Sequence, residues 1–294
     1  MKKLLLIDAN SLIHRAFHAL PPLTTPQGDP INAIYGLSSI LLKVLREHRP
    51  AYAAAAFDRP EPTFRDGMYK EYKAHRPPTA NELVSQLIRA RDVFVTFGIP
   101  VFEKPGYEAD DLIGTLAETF KRHPALEGGK VIIFSGDKDN LQLIDKGDVV
   151  VEFLKVGVSK TVTYDESLFL QEYGFSPRQL TDYKALIGDA SDNIPGVAGI
   201  GPKGASELIQ QYGTIEKMYE DIELISKKAL KEKLVANKEN ALLSKQLATI
   251  DRHVPIGAKI EDAVCVGNKS EELKKLFEEL GFRSLAARLA TEGI

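Results

Sequence analysis

Tryptophan is absent and cysteine occurs once, as Cys265, in a chain of 294 residues. A single thiol excludes an internal disulfide framework and a cysteine-built zinc cage. It fits a small buried side chain in a reducing, cytosolic compartment. No apolar run approaches the ~18 residues of a membrane span. The apolar stretch near the N-terminus is too short for a signal peptide, since Asp8 ends it. Long internal repeats, low-complexity segments and disordered linkers are also lacking. What remains is a soluble, globular composition, 44% hydrophobic and 27% charged, with a length near the upper limit of one hydrophobic core. There is no overall basic excess either, and a net charge of −3, taken whole, argues against a nucleic-acid partner.

The first two-thirds alternates strand and helix signals. Short apolar runs at residues 2–7, 51–57, 99–102, 131–134 and 149–154 predict strands. Helical spacing joins Ile34, Leu37, Leu41 and Leu45, then Leu83, Leu87, Ala90 and Phe94, then Leu112, Ile113, Leu116 and Phe120. This order predicts an α/β domain over residues 1–175, with a mainly parallel sheet covered by helices on both faces. From Ser176-Pro177, a helix start, the strands stop, and residues 176–294 read as an all-helical region.

The acids are unevenly placed. Asp8, Asp58 and Asp137 follow strand signals, with Asp139 two residues further on. In a parallel sheet these ends share the edge where α/β folds bind ligands. Glu108, Asp110 and Asp111 open a helix near that edge; Asp189 and Asp192 follow a later helix. Nine carboxylates converging on one rim repel one another and call for cations. With oxygen ligands only, hard divalent ions are implied, magnesium or manganese. Several such sites suggest two metals, the arrangement of phosphodiester chemistry. Without these nine acids the balance changes from −3 to +6.

Residues 59–91 hold seven basic side chains, Arg65, Lys73 and Arg76 among them, against four acidic ones, with Phe64, Tyr69 and Tyr72 interleaved. That mixture suits single-stranded nucleic acid, or equally a solvated loop over the core. A second phosphate signal is Gly196-Val-Ala-Gly199-Ile-Gly201-Pro202-Lys203, a glycine hairpin that opens a helix. Flanked by helices, it can grip a duplex backbone without reading bases. Gly199, Gly201 and Gly204 also match a dinucleotide-binding pattern, but no strand precedes them, so that reading fails its context test. Lys227, Lys228, Lys231 and Lys233 read as a solvated face or as phosphate contacts. Asn268-Lys-Ser270 matches a glycosylation acceptor that means nothing in a cytosolic chain.

Asp8-Ala-Asn10, Phe57-Asp58, Phe64-Arg65, Tyr72-Lys73-x-x-Arg76, Gly106-Tyr-Glu-Ala-Asp-Asp111, Gly136-Asp-Lys-Asp139 and residues 188–196 stand in one order. From about residue 3 to Leu289 the sequence resembles the flap endonuclease family, which includes the 5′ nuclease domain of bacterial DNA polymerase I. The resemblance implies a PIN-like nuclease core and a metal-dependent enzyme that cuts 5′ flaps and degrades from 5′ ends, in primer removal and repair. Asp8, Asp58, Glu108, Asp110 and Asp111 would serve one metal; Asp137, Asp139, Asp189 and Asp192 would serve a second. Lys73 and Arg76 would belong to a helical arch at about residues 60–90, admitting the 5′ single strand, with Tyr72 stacking on a base. Arg65, Gly196, Gly199, Gly201 and Lys203 would contact DNA, the glycines within a helix–three-turn–helix element that also holds a potassium ion. Implied partners are DNA with 5′ flaps, nicks or free 5′ ends, RNA primers in duplex, and a covalently linked polymerase domain. A monomer at the bacterial nucleoid is expected.

Two rival readings are a phosphotransferase with an aspartyl nucleophile and a non-catalytic binder of DNA structures. The first has no use for the hairpin, and the second gains nothing from a rim of nine acids.

Overall fold

The computed structural model describes residues 1–266 and 270–292. Six strands form one sheet: β1 (Leu4–Asp8), β2 (Tyr52–Ala56), β3 (Val101–Phe102), β4 (Val131–Ser135), β5 (Val149–Val156) and β6 (Lys160–Tyr164). Their order is β3-β2-β1-β4-β5-β6. All pairings are parallel except the edge pair β5–β6. The alanine-rich β2 is a poor strand former by propensity, yet Ala53, Ala54, Ala55 and Ala56 are all buried. Pairing on both sides and small side chains under packed helices override the intrinsic preference there.

The helices are α1 (Ala9–Ala19), α2 (Asn32–His48), α3 (Phe64–Met68), α4 (Asn81–Thr96), α5 (Ala109–Phe120), α6 (Glu166–Tyr173), α7 (Leu180–Ile187), α8 (Pro202–Tyr212), α9 (Ile215–Glu220), α10 (Lys228–Ala236), α11 (Lys238–Ala248), α12 (Ser270–Glu279) and α13 (Arg283–Glu292). Strand alternation sends Leu4 and Leu6 to one face and Leu5 and Ile7 to the other. The first face packs on Leu112 and Leu116 of α5 and continues into the helices that follow α6. The second packs on α1, α2 and α4. Leu273, Phe277 and Leu285 join that second face, so α12 and α13 return to the sheet rather than extending the helical region.

Residues 60–90 do not form one helical arch. Only α3 and a run of turns occupy residues 59–76, and α4 begins at Asn81. Leu83, Gln86 and Ala90 are buried, because α4 is a core helix of the sheet. The sequence reading assigns neither helix α1 nor strand β6: α1 starts directly at the acid that ends β1, and β6 is a short, half-exposed edge. Cys265 is half-buried and packs on the second core face. Asn268 lies outside the described residues.

Candidate active site

Parallel pairing places the C-terminal ends of β1, β2 and β4 side by side, so the acids that follow them meet. Asp8, Asp58, Glu108, Asp110, Asp137, Asp139 and Asp192 line one cleft of about 570 Å³. Each is held by a local device. Asp8 caps α1, accepting the Ser11 amide at 3.0 Å, and its other oxygen accepts the Ser135 hydroxyl at 2.6 Å. Asp58 accepts the Ala109 amide at 2.7 Å, which ties the end of β2 to the start of α5. Asp110, in the first turn of α5, accepts from the Asn140 side-chain amide at 2.7 Å. Asp137 accepts the Asp139 amide at 2.9 Å.

The crowding has an electrostatic cost. Burial, then Asp137 and Asp58, push Asp8 up to about 7 despite its hydrogen bonds from Ser135 and Ser11. Burial, then Asp8 and Asp137, raise Asp110 well above the ordinary carboxylate range. Asp139 is pushed up to about 7, by burial and Asp137, against the pull of Lys184. Among the described residues no three acids or histidines stand close enough to cage an ion directly. The donors nevertheless fit hydrated divalent cations: all are oxygens, all face one cleft, and burial beside other acids favours the protonated form of Asp8, Asp110 and Asp139, which a bound cation would relieve. The Asn140 side-chain oxygen beside them is buried without a hydrogen-bond partner.

Cationic side chains already lean into this cleft. The turn after α3 places Lys73 in the left-handed region, with φ 53°. Its amide donates to the Asp192 carbonyl at 2.9 Å, and its ammonium lies 2.7 Å from Glu108 and 3.8 Å from Asp192. Burial alone would lower Lys73, but Glu108 and Asp192 raise it. Arg76 pairs with Asp192 and donates to the Ser191 carbonyl. Lys184 bridges Asp139 and Asp189.

Five positions serve differently from the expectation. Asp111 does not line the cleft: it is fully buried, and both its oxygens accept from Arg65, at 2.7 and 2.8 Å. Arg65 is only 2% exposed and also donates to the Leu247 and Thr249 carbonyls, so it is a buried strut rather than a surface contact for DNA. Tyr72, 5% exposed, packs on Ile194, Leu247 and Ala248 and donates to Glu108 at 3.2 Å; its ring is not free to stack on a base. Gly196 is buried, its amide donates to Ser244, and a Cβ there would lie 2.3 Å from the Gly188 nitrogen. It closes the hairpin base, while Gly199, Gly201 and Lys203 stay exposed. Asp189 lies outside the cleft lining, held by Lys184 and Ser191.

Sequence reasoning missed His14, Arg15 and His18, which line the cleft from α1. Their helical spacing behind Asp8 was the available signal. It also missed Ser135, Asn140 and Lys184, which act on the carboxylates and carry no motif of their own.

Residues 3–174 match the family model described as the N-terminal resolvase-like domain of 5′-3′ exonuclease, and residues 175–271 match its C-terminal SAM fold. The chain belongs to the 5′-3′ exonuclease family. It is similar to DNA polymerase I of Caldicellulosiruptor bescii, 43% identical over 98% of this chain and 33% of the relative. It is also similar to DNA polymerase I of Bacillus subtilis, 42% identical over 99% of this chain and 32% of the relative. The chain thus spans about a third of the length of these relatives. The fold is shared with T5 5′-exonuclease bound to divalent zinc ions, at TM-score 0.71 and 21% identity over 97% of this chain and 100% of that one. It is shared with flap endonuclease-1 from Methanococcus jannaschii at TM-score 0.61 and 16% identity, over 99% of this chain and 91% of that one.

Arg65→Ala leaves the Asp111 carboxylate buried and unpaired, and should destabilise the fold by about 3–5 kcal/mol in urea unfolding. Unchanged stability with weaker DNA binding would return Arg65 to the surface role. The raised acids set the sign of a pH effect. Folded Asp8 and Asp139 keep protons up to about 7, whereas the unfolded chain releases them near pH 4. In chelator, stability should therefore fall as pH rises from about 5 to 8. His14, lowered by burial and by His18, works in the opposite direction as a single group. Millimolar magnesium should flatten the slope. A melting temperature that climbs with pH in chelator contradicts the crowding.

Proposed function

We propose that the chain is a structure-specific, divalent-metal-dependent 5′ nuclease that hydrolyses DNA phosphodiester bonds and leaves 5′-phosphates. The observation that carries this reading is the convergence of seven carboxylates on one cleft at the sheet edge, beside an exposed glycine hairpin that opens α8. Substrates are DNA with 5′ flaps, nicks or free 5′ ends, and RNA primers in duplex. In the full-length protein the chain is the nuclease unit joined to a polymerase, working as a monomer on the bacterial nucleoid during primer removal and repair. The matches with DNA polymerase I over a third of its length support that placement.

Two or more ions, magnesium or manganese, are assigned to the cleft: Asp8, Asp58, Glu108 and Asp110 would hold one, and Asp137, Asp139 and Asp192 would hold another, to which Asp189 would reach from outside the cleft lining. Bound divalent cations supply charge neutralisation at the scissile phosphate and a water of lowered pKa. Ser135 and Asn140 fix Asp8 and Asp110 in position. Lys73 and Arg76 exchange their carboxylate partners for the phosphoryl oxygens as charge builds there. The exposed Gly199 and Gly201, with Lys203 in the first turn of α8, hold the duplex backbone away from the cut. A potassium ion belongs at the hairpin carbonyls, where the Lys233 ammonium already lies 3.4 Å from the Gly199 oxygen.

Product mapping on a labelled 5′-flap duplex tests the reading. Cleavage near the junction is expected in magnesium and none in chelator; equal products in both would refute it. Asp110→Asn should nearly abolish cleavage while flap affinity persists, and normal turnover removes Asp110 from the site. Lys73→Ala should slow single-turnover cleavage on the order of 100-fold, the scale of losing one charge-stabilising donor; an unchanged rate removes Lys73.

A further inference from the structure

One buried cation, paired with an acid of the cleft, has no place in the chemistry above. Lys184 lies in the last turn of α7, with its side chain 11% exposed. Its ammonium is paired with Asp139 and sits 2.8 Å from an Asp189 oxygen. Those two acids come from distant parts of the chain: Asp139 opens the turn after β4, and Asp189 follows α7. The ammonium is what joins them.

We propose that Lys184 is a built-in counter-ion of the Asp139–Asp189 pair, which a divalent cation must displace before it can take those carboxylates. The proposal rests on the metal reading of the cleft. An ammonium between two carboxylates satisfies the same oxygens that a hard cation would use, with half its charge. The pair is thereby neutralised enough to fold without metal, and the competing charge weakens that half of the cleft for a second ion. Of the acids assigned to the other ion, Asp8, Asp58 and Asp110 have no lysine or arginine among their hydrogen-bond and ion-pair partners in the described residues, and Glu108 alone has them, in Lys73 and Arg65. The two halves of the cleft therefore differ in affinity: one ion binds readily, and the other binds only when the ammonium swings away.

An opposite charge at contact distance changes a carboxylate's cation (proton) affinity by roughly ten- to a thousand-fold. Lys184→Met keeps most of the side-chain volume and removes the charge. Manganese binding, followed by calorimetry and by the paramagnetic resonance of free manganese, should show a tight and a weak class of site in the native chain. In Lys184→Met the weak class should tighten by on the order of tenfold or more. Lys184→Arg, which keeps the charge, should stay near the native isotherm. In chelator Lys184→Met should melt below the native chain, and saturating magnesium should close the gap. Superimposable isotherms for native and Lys184→Met chains overturn the proposal while leaving the metal reading intact. A native chain that takes up no manganese overturns both. Should Lys184→Met fail to fold, the native chain still decides. The nitrogen-15 signal of the Lys184 ammonium should shift during a magnesium titration in step with the weaker binding event. A signal that does not move through saturation contradicts displacement.

Discussion

Repulsion among carboxylates at the C-terminal edge of the sheet is the constraint around which this molecule is arranged. Parallel topology brings strand ends together whether or not their charges agree, and here three of those ends carry aspartates. The chain answers in three ways. Hydrogen-bond donors hold individual acids: Ser135 and Ser11 on Asp8, the Ala109 amide on Asp58, Asn140 on Asp110. Internal cations neutralise others, with Lys73 on Glu108, Arg76 on Asp192 and Lys184 on Asp139 and Asp189. The remaining cost appears as carboxyls that hold their protons towards neutral pH, which is the electrostatic state that bound cations would relieve.

A second network couples this edge to the helices beyond residue 175. Arg65 reaches from α3 to Asp111 of α5 and to the Leu247 and Thr249 carbonyls around the end of α11, and Asp111 also accepts the Asp251 amide at 2.8 Å. Gln142 accepts the Ile250 amide and donates to the Ala248 carbonyl. The hairpin base is seated by Gly188 against Gly196 and by Ser244. The exposed glycines that would meet duplex DNA are therefore anchored to the same α11 segment that supports the arginine strut.

The alternation of strands and helices was readable because β1, β4 and β5 are strongly apolar and their partner helices have clean spacing. The acids that close strands were readable for the same reason: their position in the pattern predicts their place in space. The edge strand β6 was missed because half-exposed residues 160–164 have no distinctive alternation. Arg65 and Tyr72 were misread because charge and aromaticity in a loop-like sequence look the same whether they face solvent or pack beneath it. Tertiary contacts bury them: Arg65 bonds Asp111 and the Leu247 and Thr249 carbonyls, and Tyr72 packs on Ile194, Leu247 and Ala248. Asp111 shows the same limit. It differs from Asp110 by one step along α5, and that step of about 100° turns it from the cleft to the strut.

In the proposed reading the acidic cleft seats divalent cations. Anomalous diffraction from crystals soaked in millimolar manganese tests it most directly. Anomalous peaks are expected inside the cleft bounded by Asp8, Asp58, Asp110 and Asp137. Peaks confined to other surfaces, with that cleft empty of metal, would contradict it.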